Sequence, residues 1–401
     1  MSRTMKLLTL LCFALLSWAG TGRATAEADE GATEKAPSAD GEAKSSADSK
    51  SDQASKPDDE APSGEAGGYR LPGGIHLGGM FDVAYERVDR SADFTSGQNA
   101  FRNYHHLLFL TRQGDDFPVG FSAEVLSQYF YELTMRLSGP GSRLRVVAHA
   151  GKILVPFGPD PLFHKSYGGL TGSDQRTLPV VWSSFGAGAR FSYAIGGLSA
   201  ADEIYAAQGF DLSAPDENLN MQRDLAAYDG ARIALGNRLA LSAGPFTLWY
   251  SAYWNQMRFG RLLVMQAVDL SLWRPALPAL NRFALGAGFV RAHVSATEKY
   301  GQPGASFDEA GYYHFADYLW LRAYLTQGFY LQAMSGLATF GNRTGLTYDE
   351  RQATASDGSH HSVTLVYEYA SAQVILAYHW NFEKVDEIPN DFLRLMVIYA
   401  F

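Results

Sequence analysis

Cysteine is almost missing from this 401-residue chain, and Cys12 is the only one. It lies inside the N-terminal apolar run, so once that run is removed neither a disulfide nor a thiolate metal site is available. Leu11 precedes it where a lipoprotein signal needs a small residue, which argues against lipidation. After the N-terminus no run of eighteen apolar residues occurs, so there is no spanning helix. Barrel strands are short and only half apolar, so that absence leaves them open. Positive charge is scarce too. The formal net charge is −9, and Arg3, Lys6 and Arg23 lie in the first 26 residues with no acids, leaving −12 for the remainder. Such a balance argues against nucleic acid as a partner. From residue 69 onward the lysines are Lys152, Lys165, Lys299 and Lys384.

What is present divides the chain in three. Residues 1–26 place Arg3 and Lys6 before an apolar core from Leu7 to Trp18, then Ala24-Thr25-Ala26, the pattern of a secretory signal peptide cleaved after Ala26. Residues 27–68 hold twelve acids and four lysines among Ala, Ser, Pro and Gly, about −8 in all. This stretch has too little apolar area to offset the entropy of ordering, and it reads as a disordered acidic periplasmic tail. From Tyr69 to Phe401 the texture changes to segments of roughly ten residues that alternate apolar and polar, rich in aromatics and separated by turn residues.

Sixteen such segments start near Ile75, Arg102, Phe117, Tyr129, Arg143, Val180, Leu198, Tyr228, Gly244, Arg261, Arg282, His314, Gly328, His361, Ser371 and Asp391. The last, Asp391 to Phe401, puts Leu393, Leu395, Val397, Tyr399 and Phe401 on one side of an extended strand. Connections alternate. Those at 113–116, 139–141, 196–197, 326–328 and 369–371 are short, while 89–100, 156–179, 211–227, 296–312 and 341–359 are long. Short periplasmic turns with long outer loops predict an all-β fold, a transmembrane antiparallel up-and-down β-barrel. About 16 strands are expected, with 14 or 18 as alternatives because two connections are very short.

In a pore-forming barrel the polar positions mark the lumen. Period two then assigns Arg136, Arg143, Arg145, Arg190, Arg232, Arg282, Arg322 and Arg394 inward, with Glu124, Glu132 and Glu368. A lipid-facing arginine near the midplane costs about 2–4 kcal/mol, which favours that assignment. Two consequences stay open. The arginines bias the lumen toward anions, or they pair with lumen carboxylates and maintain barrel shape. Aromatics near strand ends, including Trp254, Trp380, Tyr399 and Phe401, would form interfacial girdles.

Gly151 to Pro159 reads GKILVPFGP where the fifth segment enters a long loop. With Gly151, Lys152, Pro156, Phe157 and Gly158, this resembles the phosphate-selective porin O/P family, in which such a strand leads into a loop folded into the channel. The resemblance implies a water-filled channel for small anions, a homotrimer, and a constriction loop presenting His164, Lys165, Tyr167 and Arg176. The few lysines depart from a lysine-rich phosphate site, so a general porin with a weak anion preference fits better. By spacing, Lys152 shares a face with Ala148, Ala150 and Leu154, and is either an interface residue or a pore ligand. The closing strand, ending in Tyr399 and Phe401, is similar to the signal read by the barrel assembly machinery.

Chemistry of other kinds finds little footing. His105-His106 and His360-His361 are adjacent on strands and so point to opposite faces, unable to share one ion. No spacing singles out a Ser/His/Asp set. Gly286 and Gly288 precede no helix and are no phosphate loop. The expectation is therefore a non-enzymatic porin without cofactor in the outer membrane of a Gram-negative bacterium, its partners lipid, small solutes and the assembly machinery. The alternative is a plugged or narrow barrel acting as an anchor, adhesin or assembly protein through its loops or acidic tail.

Overall fold

The computed structural model describes residues 68–88, 100–103, 106–112, 117–139, 142–158, 182–211, 232–274, 281–297, 302–303, 311–341, 358–383 and 391–401. The expected signal peptide, all but the end of the acidic segment, and His105, His164, Lys165, Tyr167 and Arg176 lie outside the described residues.

Eighteen strand segments follow in order: β1 (Tyr69–Leu71), β2 (Ile75–Val88), β3 (Ala100–Arg102), β4 (His106–Arg112), β5 (Val119–Glu124) and β6 (Tyr131–Arg136). Then come β7 (Leu144–Leu154), β8 (Ser183–Ile195), β9 (Leu198–Gln208), β10 (Ile233–Ala243), β11 (Phe246–Gln256) and β12 (Leu262–Trp273). The series ends with β13 (Phe283–Val294), β14 (Tyr312–Thr326), β15 (Phe329–Gly341), β16 (Gly358–Tyr369), β17 (Ala372–Glu383) and β18 (Phe392–Ala400). All join one sheet, and β18 pairs back onto β2 from Phe392↔Val88 to Ala400↔Met80, which closes it. β3 and β4 both pair with β2, so they are two halves of one wall strand. β1 pairs with β2 through Tyr69↔Leu77, on the edge opposite β4 and just beyond the end of β18. The wall is thus a closed antiparallel barrel of sixteen strands.

The wall strands start close to where alternation places them. The farthest, expected at Tyr228, begins at Ile233. At one end β8 and β9, β10 and β11, β14 and β15, and β16 and β17 are joined by two-residue turns. The opposite end carries the long connections together with two short ones, 125–130 and 257–261, the second containing a 3-10 turn at Arg258–Gly260. Phe401 ends the chain at the two-residue-turn end. Gly79 N–H donates to Phe401 O at 2.8 Å and Phe401 N–H to Gly79 O at 3.0 Å, the last rung of closure. Its ring lies over Gly79, where a Cβ would come within 2.5 Å of Phe401 Cζ, so the closing residue needs a glycine opposite.

Period two explains both surfaces. On β18 Leu395 is 45% exposed and Val397 47%, while Met396 and Ile398 between them are 3% and 4% exposed. The same split runs along β11, where Leu248, Tyr250 and Trp254 face out and Thr247, Ser251 and Asn255 are buried. An outward face of Leu, Val, Phe, Tyr and Trp is what hydrocarbon tolerates, and closure leaves no unpaired edge. The inward face is not uniformly polar. It carries three apolar clusters, the largest joining Ile153, Val155 and Phe157 to Trp182, Tyr253, Met265 and Tyr312. The second joins Met80, Tyr330, Ile375 and Met396, and the third Tyr318, Trp320 and Met334.

Candidate functional site

The strand β7 does not stop at the rim. Gly151 has φ +144°, and a Cβ there would sit 2.3 Å from the Tyr131 carbonyl oxygen, so the position admits only glycine. Beyond Leu154 the ladder ends, as Pro156, lacking an N–H, requires. Val155, Pro156, Phe157 and Gly158 are all buried. Val155 N–H still donates to Trp182 O at 2.9 Å. The Phe157 ring packs 5.9 Å from Trp182, which meets Tyr253 edge-on at 5.7 Å. Gly158 then reaches side chains of two other strands. Its N–H donates to Ser251 Oγ at 3.0 Å, and its carbonyl accepts from Arg238 Nε at 2.8 Å. Ser251 and Arg238 stand on the inward faces of β11 and β10, so the segment leaves the wall at β7 and crosses inside the barrel.

Beside this crossing lies a charged chain, with Glu203 in register with Arg238. Glu132 Oε2 of β6 is 3.4 Å from His149 Nδ1 of β7, and His149 Nε2 is 3.2 Å from Glu203 Oε1 of β9. Glu203 Oε2 accepts from both Arg190 Nη2 at 2.9 Å and Nε at 3.1 Å, two charge-assisted bonds to one carboxylate oxygen. Gly188 makes room, since a Cβ there would lie 2.4 Å from His149 Nε2. A second group sits near the closure. Glu86 accepts from Arg394 Nε at 2.7 Å and pairs with Arg102 Nε at 2.9 Å, so one carboxylate bridges two arginines. A third places Arg322 among Tyr330, Trp273 and Trp320, at 4.3, 5.2 and 5.9 Å, with both Nε and Nη2 donating to Gln332 Oε1.

The candidates named from the sequence fall into three groups. Arg136, Arg145, Arg190, Arg322, Arg394, Glu132 and Glu368 stand on inward faces of their strands. Glu368 accepts from Gln373 Nε2 at 2.9 Å. Glu124 is inward at the end of β5, where its carboxylate accepts from the backbone of Leu126, Ser127 and Tyr129 and shapes the 125–130 turn. Arg143 and Arg282 are exposed in connections at the two-residue-turn end, because alternation was extended past the strand ends. Arg232 precedes β10 at the opposite rim, beside an open groove lined by Phe185, Ala206, Gln208 and Ile233. Lys152 points outward with Tyr131 and Phe185, and its Nζ donates to Gln128 O at 3.0 Å. That is the interface alternative, not the pore ligand.

Sequence reasoning missed Asp82, Glu86, Arg102, His149, Glu203, Arg238 and Asp269, all inward on wall strands. His149 lies at even spacing from Arg145, already placed inward on the same strand, so alternation could have found it. Asp269 accepts from Tyr318 Oη at 2.6 Å. The histidine pair divides as alternation requires. His360 is buried inward, with Nδ1 2.6 Å from Asn381 Oδ1 and Nε2 3.2 Å from His379 Nδ1, while His361 faces out. Among the described residues no group of three His, Cys, Asp or Glu could hold a metal ion. Among them, too, no helix is long and apolar enough to cross a membrane.

No protein-family model matches the chain, and no curated protein matches it. Solved structures do. A porin refined at 1.8 Å resolution matches with a TM-score of 0.50 at 10% identity, over 82% of this chain and 100% of that one. Salmonella typhi OmpF in complex with daunomycin matches with a TM-score of 0.51 at 11% identity, over 82% of this chain and 97% of that one. At such identities the likeness is one of fold, the closed barrel of porins.

Proposed function

We propose that the chain is a passive channel for small hydrophilic solutes in the outer membrane of a Gram-negative bacterium. One observation carries this reading. The chain leaves β7 after Leu154 and crosses the barrel interior to Arg238 and Ser251, beside a row of inward charges. A segment held across a barrel by polar anchors narrows a water path without closing it, and charged walls suit hydrated solutes. In planar bilayers the full chain should give steady single-channel steps. Barrels that insert but never conduct would sink the reading.

The finer parts of the proposal follow from the same wall. A preference for anions such as phosphate would need arginines free of carboxylates, and Arg102, Arg190 and Arg394 are paired. Among the described residues Asp82, Glu86, Glu124, Glu132, Glu203, Asp269 and Glu368 face in against Arg102, Arg136, Arg145, Arg190, Arg238, Arg261, Arg322 and Arg394, seven carboxylates against eight arginines. We therefore infer a weak charge preference, and the reversal potential in a salt gradient measures it. Trimer assembly rests on the family resemblance, and crosslinking before and after heating tests it. Recognition by the assembly machinery rests on Tyr399 and Phe401 at the end of the closing strand.

A second reading has its own observation. Inward side chains are closely covered, with Met265 0%, Tyr253 2% and Met396 3% exposed. That favours a narrow or plugged barrel serving as an anchor or adhesin, and the absence of any steady conductance would select it.

A further inference from the structure

We propose that the outward face of β13 and β14 binds the phosphate of a membrane lipid headgroup, with Arg291 as its main ligand. Along β13 the outward positions read Phe283, Leu285, Ala287 and Phe289, then Arg291 and His293 at the end that carries the long connections. Arg291 Nε is shielded from water and has no hydrogen-bond partner. Its guanidinium lies 4.7 Å over the Tyr313 ring. His293 stacks on that ring at 4.3 Å and 18°, and Phe315 stacks beside it at 5.9 Å. The result is a cation seated on an aromatic platform in an otherwise apolar wall.

Among the described residues the surroundings of Arg291 supply no anion. Gln266 of β12 stands opposite Arg291 in register and donates to Tyr250 Oη at 3.3 Å. Asp317 of β14 is the outward carboxylate on the adjacent strand, but its register partner on β13 is Phe289, two residues deeper than Arg291. Its carboxylate accepts the Leu337 N–H of β15, on the far side of β14. A lone guanidinium on a lipid-facing wall is unfavourable at the midplane and tolerated near the interface, where a long side chain can reach the headgroups. Arg291 is three residues from the end of β13 at Val294. At about 3.3 Å per residue and a tilt of roughly 40°, that is about 8 Å along the membrane normal, within the headgroup boundary for an extended arginine.

Two anions come into question at that depth, a lipid phosphate or a carboxylate of a second copy. Rotation about an axis along the membrane normal keeps depth, so a second copy offers only its own outward acids. Among the described outward acids, Asp317 lies deeper than Arg291, Asp202 lies six residues from the long-connection end of β9, and the Asp391 carboxylate at the rim accepts the Asn381 N–H. Phosphate is the group that a guanidinium fork holds in two parallel bonds. The proposal rests on the outer-membrane reading for its orientation, which puts this end at the outer leaflet and makes the ligand a phosphorylated glycolipid.

Full-length protein in detergent, probed by native mass spectrometry with a diphosphorylated glycolipid of the lipid A class and with its dephosphorylated form, tests the site. The wild type should retain the phosphorylated lipid, and Arg291→Gln should weaken that retention by about tenfold or more, the usual loss for a hydrogen bond to a charged group. Arg291→Lys, which keeps charge but not the fork, should fall between. Heat-modifiable migration shows that each variant is folded. Equal retention by wild type and R291Q, or equal binding of the dephosphorylated lipid, overturns the proposal. A changed oligomeric state in R291Q with unchanged lipid retention overturns it too, in favour of a contact between copies. Conductance of the same samples separates this from the channel reading, because Arg291 faces away from the interior.

Discussion

Removing both side-chain anchors of Gly158, in the double variant R238M/S251A, should loosen the segment that crosses the barrel. Arg238 donates to the Gly158 carbonyl at 2.8 Å, and Gly158 N–H donates to Ser251 at 3.0 Å. A hydrogen bond from a charged group contributes about 1.5–3 kcal/mol and a neutral one about 0.5–1.5. Together the anchors hold the segment by about 2–4.5 kcal/mol, which is roughly 30- to 1,500-fold in the balance between docked and released forms. Phe157 opposes release, since it stays buried against Trp182 and that burial contributes about 1.5–3 kcal/mol. The variant should therefore sample the released form without abandoning the docked one. Single-channel recordings should show excursions to larger conductance and greater open-channel noise than the parent, with S251A alone giving the smaller effect. If the folded double variant conducts with the parent's mean and noise, residues 155–158 do not govern the water path and the reasoning fails.

Other perturbations probe the wall. Glu203→Gln removes the carboxylate that bridges Arg190 and His149 and leaves His149 its contact with Glu132, and urea denaturation in detergent should show a loss of about 2–4 kcal/mol. The estimate sits below the full value for a buried pair because the Arg190 side chain is 22% exposed. Glu86→Gln releases Arg102 and Arg394 from their shared carboxylate, so the reversal potential should move toward anions while conductance stays near the parent's. Gly151→Ala forces a Cβ to within 2.3 Å of the Tyr131 carbonyl at φ +144°, and refolding yield into detergent should fall by more than the tenfold expected from about 1.4 kcal/mol.

Much of the barrel was legible along the chain because each strand writes its two environments at alternate positions. Leu319 and Leu321 against Tyr318 and Arg322, or Val374 and Leu376 against Gln373 and His379, need no knowledge of neighbours to be sorted. The motif around Pro156 was legible for a related reason, since a missing N–H ends a ladder wherever it falls. Arg143, Arg232 and Arg282 were misjudged because alternation carries meaning only inside a strand, and the exact strand ends depend on pairing. Lys152 was left between two readings, and its bond to the Gln128 carbonyl at the rim resolves it.

Alternation within the chain determined that there is a wall of about sixteen strands and, inside each strand, which positions share a face. Only closure decided what the inward charges meet. Glu86 finds Arg394 across 308 residues, because the last strand returns to the first. Gly158 finds Ser251 across 93, because β7 and β11 are brought around one interior. Register and curvature set those distances, and neither is a property of any single segment. The sequence left the lumen arginines open between attracting anions and pairing with carboxylates, and in the closed barrel Arg190 and Arg394 are partners of Glu203 and Glu86, each contributed by another strand.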